Sequence, residues 1–182
     1  MQKFTLKLFI LAFFLTIPKS LFSIESLAKT ALIMDLSTGE VLLEKNSDER
    51  TYPSSMTKIM TALVAFEKIK NGTLAIDQEF LISKKAWKMG GSKMFIEVDK
   101  KVTLSDLLLG IVVQSGNDAS IAVAEGISGT EETFAIEMNN LGKKIGLTGT
   151  NFVNSSGWPN DDHYTTAKDL ALVAKYTIEN HP

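Results

Sequence analysis

Ser55 and Lys58 stand three residues apart in Ser55-Met56-Thr57-Lys58, just after Pro53. They head a run of helical apolar spacing formed by Met56, Ile59, Met60, Leu63 and Val64. On a helix, a serine and a lysine so spaced share one face, one turn apart. A serine hydroxyl is a poor nucleophile at neutral pH and needs a base within hydrogen-bond reach. Lysine fills that role only where burial or nearby positive charge lowers its pKa and leaves it neutral. The N-terminal end of a helix dipole favours the oxyanion that develops beside the serine. The segment therefore offers nucleophile, base and dipole from one local geometry. It equally fits a helix-capping serine beside a solvated lysine, and such a pattern arises about once by chance in a chain this long. A second copy, Ser26-Leu27-Ala28-Lys29, lacks a helix start.

Ser115-Gly116-Asn117 supplies candidates for the remaining parts. It interrupts two apolar helical stretches, where a hydroxyl and a carboxamide can point into one cleft. Ser115 would serve as proton donor to a leaving amine, and Asn117 would bind a substrate amide. The same three residues also fit an ordinary turn followed by an asparagine cap. The chain has two histidines. His181 is next to the chain end, and His163 sits in Asp161-Asp162-His163-Tyr164. A Ser-His-Asp triad would have to use His163, and no G-x-S-x-G elbow accompanies it. H-E-x-x-H, P-loop and dinucleotide patterns are absent from the sequence. Asp161, Asp162 and His163 could be metal ligands, but a solvated loop with Asx-type turn chemistry is the expected reading. No cofactor and no metal is expected.

These residues need a scaffold. Ala31 to Leu36 and Val41 to Glu44 read as a β-hairpin around Ser37-Thr38-Gly39-Glu40. A helix is expected from about Ser55 to Lys70, ending at Asn71-Gly72. Glu79 to Ile82 reads as a short strand and Trp87 to Lys93, with Gly90-Gly91, as a loop. Thr103 caps a helix from Leu104 to about Val112, and Asp118 to Glu125 reads as a buried helix. Thr130 starts another, with Phe134, Met138 and Leu141 on one face, closed by the glycine-rich stretch from Gly142 to Gly149. Phe152-Val153 reads as a strand fragment and Asn154 to Asp162 as a polar loop. Thr166 caps a last helix to about Glu179, with Leu170, Leu172, Val173 and Tyr176 buried. One α+β domain with a central helical cluster fits this order.

The formal net charge is −2 for 182 residues, with no basic patch or charge block. Nucleic acid and anionic membrane surfaces are thereby disfavoured as partners. Without cysteine, disulfides, thiol chemistry and cysteine metal sites are excluded. Lys3 and Lys7 precede an apolar run from Leu8 to Ile17, and small and polar residues follow to Ser23. Residues 1–23 read as a secretory signal peptide, and residues 24–182 as the domain. An uncleaved anchor is the alternative, although the run is short for a membrane span. The expected location is outside the cytoplasm: the periplasm or the outer face of the cytoplasmic membrane.

Ser-x-x-Lys followed some sixty residues later by Ser-x-Asn resembles the signature of penicillin-recognising serine enzymes. The chain looks closest to the low-molecular-mass penicillin-binding proteins, the serine-type D-alanyl-D-alanine carboxypeptidases. Ala31 to Glu44 resembles their opening hairpin, Pro53 to Lys58 their nucleophile segment, and Ser115 to Ala119 their second motif. Asn154-x-x-Gly157 and His163 to Leu170 resemble the segment beyond it. The Ser-Asp-Asn motif and deacylating glutamate of class A β-lactamases are not found.

The resemblance implies a β-lactamase/transpeptidase-like fold, with a helical cluster on an antiparallel sheet. It implies Ser55 as nucleophile, Lys58 as base, Ser115 as proton relay and Asn117 as substrate-binding group. Peptidoglycan stem peptides would be the substrate and β-lactams the inhibitors, with no cofactor. The family's third motif, Lys-Thr-Gly, is not in the sequence, and neither is a C-terminal membrane-anchoring segment. That implies an incomplete domain lacking the C-terminal part of the sheet, and a 182-residue form that is inactive or nearly so. Losing one oxyanion donor costs about 10²–10³ in rate. A truncated remnant, a non-catalytic peptidoglycan-binding envelope protein, a β-lactamase and a D,D-endopeptidase are the alternatives.

Overall fold

A computed structural model describes residues 26–182. The expected leader over residues 1–23 lies outside the described residues. Strand β1 (Ala31–Met34) pairs antiparallel with β2 (Val41–Lys45). The turn between them is tied by Asp35, whose carboxylate accepts from the Ser37 and Thr38 N–H groups. Here the expected hairpin forms. Strands β3 (Glu79–Leu81) and β4 (Lys101–Thr103) make a second antiparallel pair. The described residues thus carry two separate two-stranded sheets.

Six helices fill the rest. They are α1 (Thr57–Lys70), α2 (Lys84–Lys88), α3 (Leu104–Gln114), α4 (Asn117–Ser128), α5 (Glu131–Ile145) and α6 (Ala167–Asn180). A 3₁₀ turn, Ser54–Met56, leads into α1. Thr103, Thr130 and Thr166 cap their helices, each hydroxyl accepting from the N–H three residues on, as their spacing predicted.

Helix α4 is central, packed on α1, α2, α3 and α5. Every residue from Asn117 to Ala124 is buried, which explains why this stretch is alanine-rich: small side chains let four helices approach. Helix α1 lies between two apolar cores. Ala62 and Ala65 join Leu74, Phe80, Ile82, Leu107 and Ile121. Met60, Leu63 and Val64 join Phe134, Met138, Phe152 and Val173. Burial at this scale contributes about 1.5–3 kcal/mol per large side chain, so α1, the carrier of Lys58, is held from both sides.

Several expectations are corrected. Trp87 and Lys88 are helical, because Ser83 caps α2 by accepting from the Ala86 N–H. Gln114 and Asn117 both belong to helices, so the break narrows to Ser115-Gly116. Gly142 lies inside α5, which continues to Ile145. Phe152-Val153 is not a strand. The Asn139 carboxamide accepts from the Phe152 N–H at 2.9 Å and donates to its carbonyl at 2.7 Å, taking the place of a partner strand. Only the neighbouring Asn151 pairs, with Tyr164, in an isolated bridge. On α6, Val173 is buried while Leu170, Leu172 and Tyr176 are half-buried.

Candidate active site

Ser54 adopts a left-handed backbone (φ 48°), uncommon for a residue with a side chain. Its carbonyl is packed against Gly157: a Cβ there would lie 1.7 Å from the Ser54 oxygen. This kink sets Ser55 on the 3₁₀ turn, exposed, at the N-terminal end of α1. The first bond of the turn runs from the Met56 N–H to the Pro53 carbonyl at 3.1 Å. The Ser55 N–H precedes it and is left over by the helical ladder.

Lys58 projects from the next turn and is 4% exposed. Its Nζ donates to Ser55 Oγ at 3.2 Å, Asn117 Oδ1 at 2.8 Å and the Ser156 carbonyl at 2.8 Å. Burial lowers its pKa from 10.5 to about 8, so an appreciable fraction of the amine is neutral near neutral pH. An ammonium has three N–H donors and a neutral amine two plus a lone pair. Two of the three partners are carbonyl-type oxygens and accept only. When Lys58 loses a proton, its lone pair is therefore left facing the Ser55 hydroxyl. The geometry suits Lys58 to take the Ser55 proton.

Asn117 begins α4. Its Nδ2 donates to the Gly90 carbonyl at 2.8 Å, which fixes which end of the carboxamide meets Lys58. Gly91 has no room for a side chain, since a Cβ would lie 2.6 Å from that Nδ2. The second Nδ2 hydrogen remains for a ligand. Next to it Asp118, fully buried, accepts from the Met94 and Phe95 N–H groups at 2.9 Å each. Asp118 thereby ties the 92–96 segment to the start of α4.

The Ser156 carbonyl is presented by a tight turn. Asn154 Oδ1 accepts from the Ser156, Gly157 and Trp158 N–H groups at 3.2, 2.8 and 3.1 Å. Behind it Glu131, paired with Lys85 at 2.9 Å, accepts from the Ser155 N–H and hydroxyl at 3.0 and 2.7 Å.

Of the four predicted residues, Ser55, Lys58 and Asn117 share one hydrogen-bonded cluster. Ser115 is left-handed (φ 53°) at the C-terminal cap of α3 and half-buried. Among the described residues its hydroxyl makes no hydrogen bond to the other three. Sequence reading missed the Ser156 and Gly90 carbonyls, because backbone acceptors carry no residue signature. The Asn154-x-x-Gly157 turn was the available signal for the first.

His163 departs from its expected place in a solvated loop. It is 2% exposed, while Asp161 and Asp162 are exposed. No group of three or more metal-ligating side chains occurs among the described residues. A cleft of about 290 Å³ lined by Tyr52, Pro53, Ser54, Gly157, Trp158 and Pro159 adjoins the Ser54–Met56 turn. No helix among the described residues is long and apolar enough to cross a membrane.

Comparison with known proteins gives a consistent result. A family model described as D-alanyl-D-alanine carboxypeptidase matches residues 18–182. The D-alanyl-D-alanine carboxypeptidase DacF of Bacillus subtilis is 43% identical over 152 residues, covering 84% of this chain and 39% of the relative. DacC of Escherichia coli is 37% identical over 161 residues, covering 85% and 40%. The chain thus spans about two fifths of the length of these curated relatives. The crystal structure of the D-alanyl-D-alanine carboxypeptidase DacD from Francisella tularensis superposes with a TM-score of 0.86 at 44% identity, covering 88% of this chain and 39% of that one. Penicillin-binding protein D2 from Listeria monocytogenes in its ampicillin-bound form gives 0.76 at 29% identity, covering 91% and 65%. The fold is therefore that of the penicillin-binding proteins, over part of its extent, and the chain belongs to the D-alanyl-D-alanine carboxypeptidase family.

Proposed function

We propose that this chain carries the acyl-transfer centre of a serine D-alanyl-D-alanine carboxypeptidase that trims peptidoglycan stem peptides outside the cytoplasmic membrane. The observation that carries the reading is Lys58: buried, held near pKa 8 and 3.2 Å from the Ser55 hydroxyl.

In this reading Ser55 Oγ attacks the carbonyl of the terminal D-Ala-D-Ala bond as Lys58 Nζ takes its proton. The Ser55 N–H, left over by the helical ladder, donates to the oxyanion. The tetrahedral adduct expels D-alanine, whose amine takes a proton relayed from Lys58 through the Ser115 hydroxyl. Water then attacks the ester on Ser55, Lys58 again taking the proton, and the shortened peptide leaves. Asn117 holds the substrate amide through its remaining Nδ2 hydrogen and keeps Lys58 in line through Oδ1. A β-lactam carbonyl enters the same position, acylating Ser55 as its ring opens. Residues 1–23 act as the export signal in this reading.

The test is labelled penicillin applied to the whole purified chain over hours, with the adduct located by peptide mapping. A label on Ser55, absent from Ser55→Ala, is the expected result. A folded chain that takes no label, or takes it elsewhere, overturns the reading.

A further inference from the structure

The segment that supplies the Ser156 carbonyl is closed by His163. Its Nδ1 accepts from the Val153 N–H at 3.1 Å. A ring nitrogen that accepts carries no proton, so the proton of the neutral ring is on Nε2. Nε2 lies 2.8 Å from Thr57 Oγ1 and donates to it. Thr57 is fully buried and sits between Met56 and Lys58, in the turn that carries Ser55. Burial keeps the ring neutral, its pKa lowered to about 4, with the Glu131 carboxylate of α5 acting in the opposite direction.

Between Val153 and His163 the chain is fastened to α1 at three further points. The Ser155 carbonyl accepts from Thr61 Oγ1 at 2.6 Å. The Ser156 carbonyl accepts from Lys58 Nζ. Gly157 lies against the Ser54 carbonyl and the Thr57 hydroxyl. The imidazole is thus a bridge of fixed polarity, joining the start of the segment to the nucleophile turn.

The geometry points to His163 as a positioning residue for Lys58, acting through Val153 and Thr57 to hold the Ser156 carbonyl on Nζ. The inference rests on the acyl-transfer reading above. His163 hydrogen-bonds to Thr57 and Val153 and to neither Ser55 nor Lys58, and its effect is on where the amine's lone pair points. Misplacement by about an ångström costs on the order of a hundredfold in rate.

A buried ring could instead be packing alone, since His163 lies edge-on to Phe152 at 5.8 Å. The experiment separates the two. Ser55 acylation by labelled penicillin is measured for the whole chain and for His163→Leu, His163→Gln, Thr57→Val and the Thr57→Val/His163→Leu pair, with melting curves to establish folding. Leucine fills space without hydrogen bonds, whereas glutamine offers an acceptor and a donor. The expected result is acylation slowed about tenfold or more in His163→Leu, recovery to within about threefold in His163→Gln, and no further loss in the double variant. Unchanged acylation in His163→Leu, no recovery in His163→Gln, or additive losses overturn the inference. If His163→Leu does not fold, Thr57→Val carries the test, being expected to slow acylation several-fold; an unchanged rate overturns it.

Nitrogen NMR of the wild-type imidazole near pH 7 gives a readout free of activity. An unprotonated Nδ1 and protonated Nε2 are expected, and the opposite tautomer overturns the bridge. Should wild type show this tautomer yet take no label, it is the acyl-transfer reading that falls. The bridge is then judged on the Lys58 pKa, read by NMR: a changed value in His163→Leu supports it, and the wild-type value overturns it.

Discussion

Lys58 Nζ and Asn117 Oδ1 meet at 2.8 Å across 59 residues of sequence, joining the first turn of α1 to the first residue of the central helix. The contact is an amine donating to an amide oxygen whose other end is already committed to the Gly90 carbonyl. Asn117 therefore cannot flip without placing an N–H against Lys58 and an oxygen against a carbonyl. Asn117→Asp puts a carboxylate beside Lys58 and like-charged oxygens beside Gly90. The carboxylate favours the ammonium and raises the Lys58 pKa. The pH–rate curve for Ser55 acylation is expected to move to higher pH, with about tenfold or more lost near pH 7.

The pH dependence of the intact site follows from Lys58 itself. Its pKa is lowered to about 8, so the proton-accepting form dominates above that value. Acylation is expected to rise about tenfold per pH unit below it and to level off above. Lys58→Arg keeps the positive charge but cannot deprotonate. It is expected to cost about 10²–10⁴ in acylation rate at every pH tested, measured by quenched-time labelling.

His163 gives a separate prediction for stability. Its folded pKa of about 4 lies below the unfolded 6.5, so the unfolded chain binds its proton first as pH falls. This contribution to stability is full above about pH 6.5 and is lost as pH drops toward 4, by on the order of 3 kcal/mol. Denaturant midpoints taken across that window are expected to slope for wild type and to slope less for His163→Gln, which cannot titrate there.

Gly157 and Gly129 share a positive φ, 81° and 80°. At Gly129 nothing lies within 4 Å of an added Cβ, whereas at Gly157 the Ser54 carbonyl stands in its place. Gly129→Ala is expected to cost the conformational penalty of a positive φ alone, about 1–3 kcal/mol. Gly157→Ala is expected to cost more than about 2 kcal/mol beyond that and to displace Ser55. Paired melting curves check the difference.

Local relationships were legible in the sequence and assembled ones were not. The Ser55–Lys58 pair follows from a three-residue spacing on a helix, and Asn117 from the break between apolar runs where the sequence places it, although it proves to be the first residue of α4. The threonine caps were legible because a cap is a contact between residues three apart. His163 read as solvated because its neighbours Asp161 and Asp162 are polar, yet it is buried and hydrogen-bonded to Thr57, 106 residues away. Phe152-Val153 read as a strand because both side chains favour one, and an asparagine side chain on α5 met the Phe152 backbone instead. The two carbonyl acceptors at the site could not be found by residue type, since every residue has one.

The Ser156 carbonyl reaches Lys58 from 98 residues further along the chain. Lys58 is therefore held in place only where α1, α4 and the 153–163 segment have all come together. In a mixture of folded and partly folded molecules, a covalent mark on Ser55 would count the native ones. Chains that had kept their helices and lost that long-range closure would stay dark.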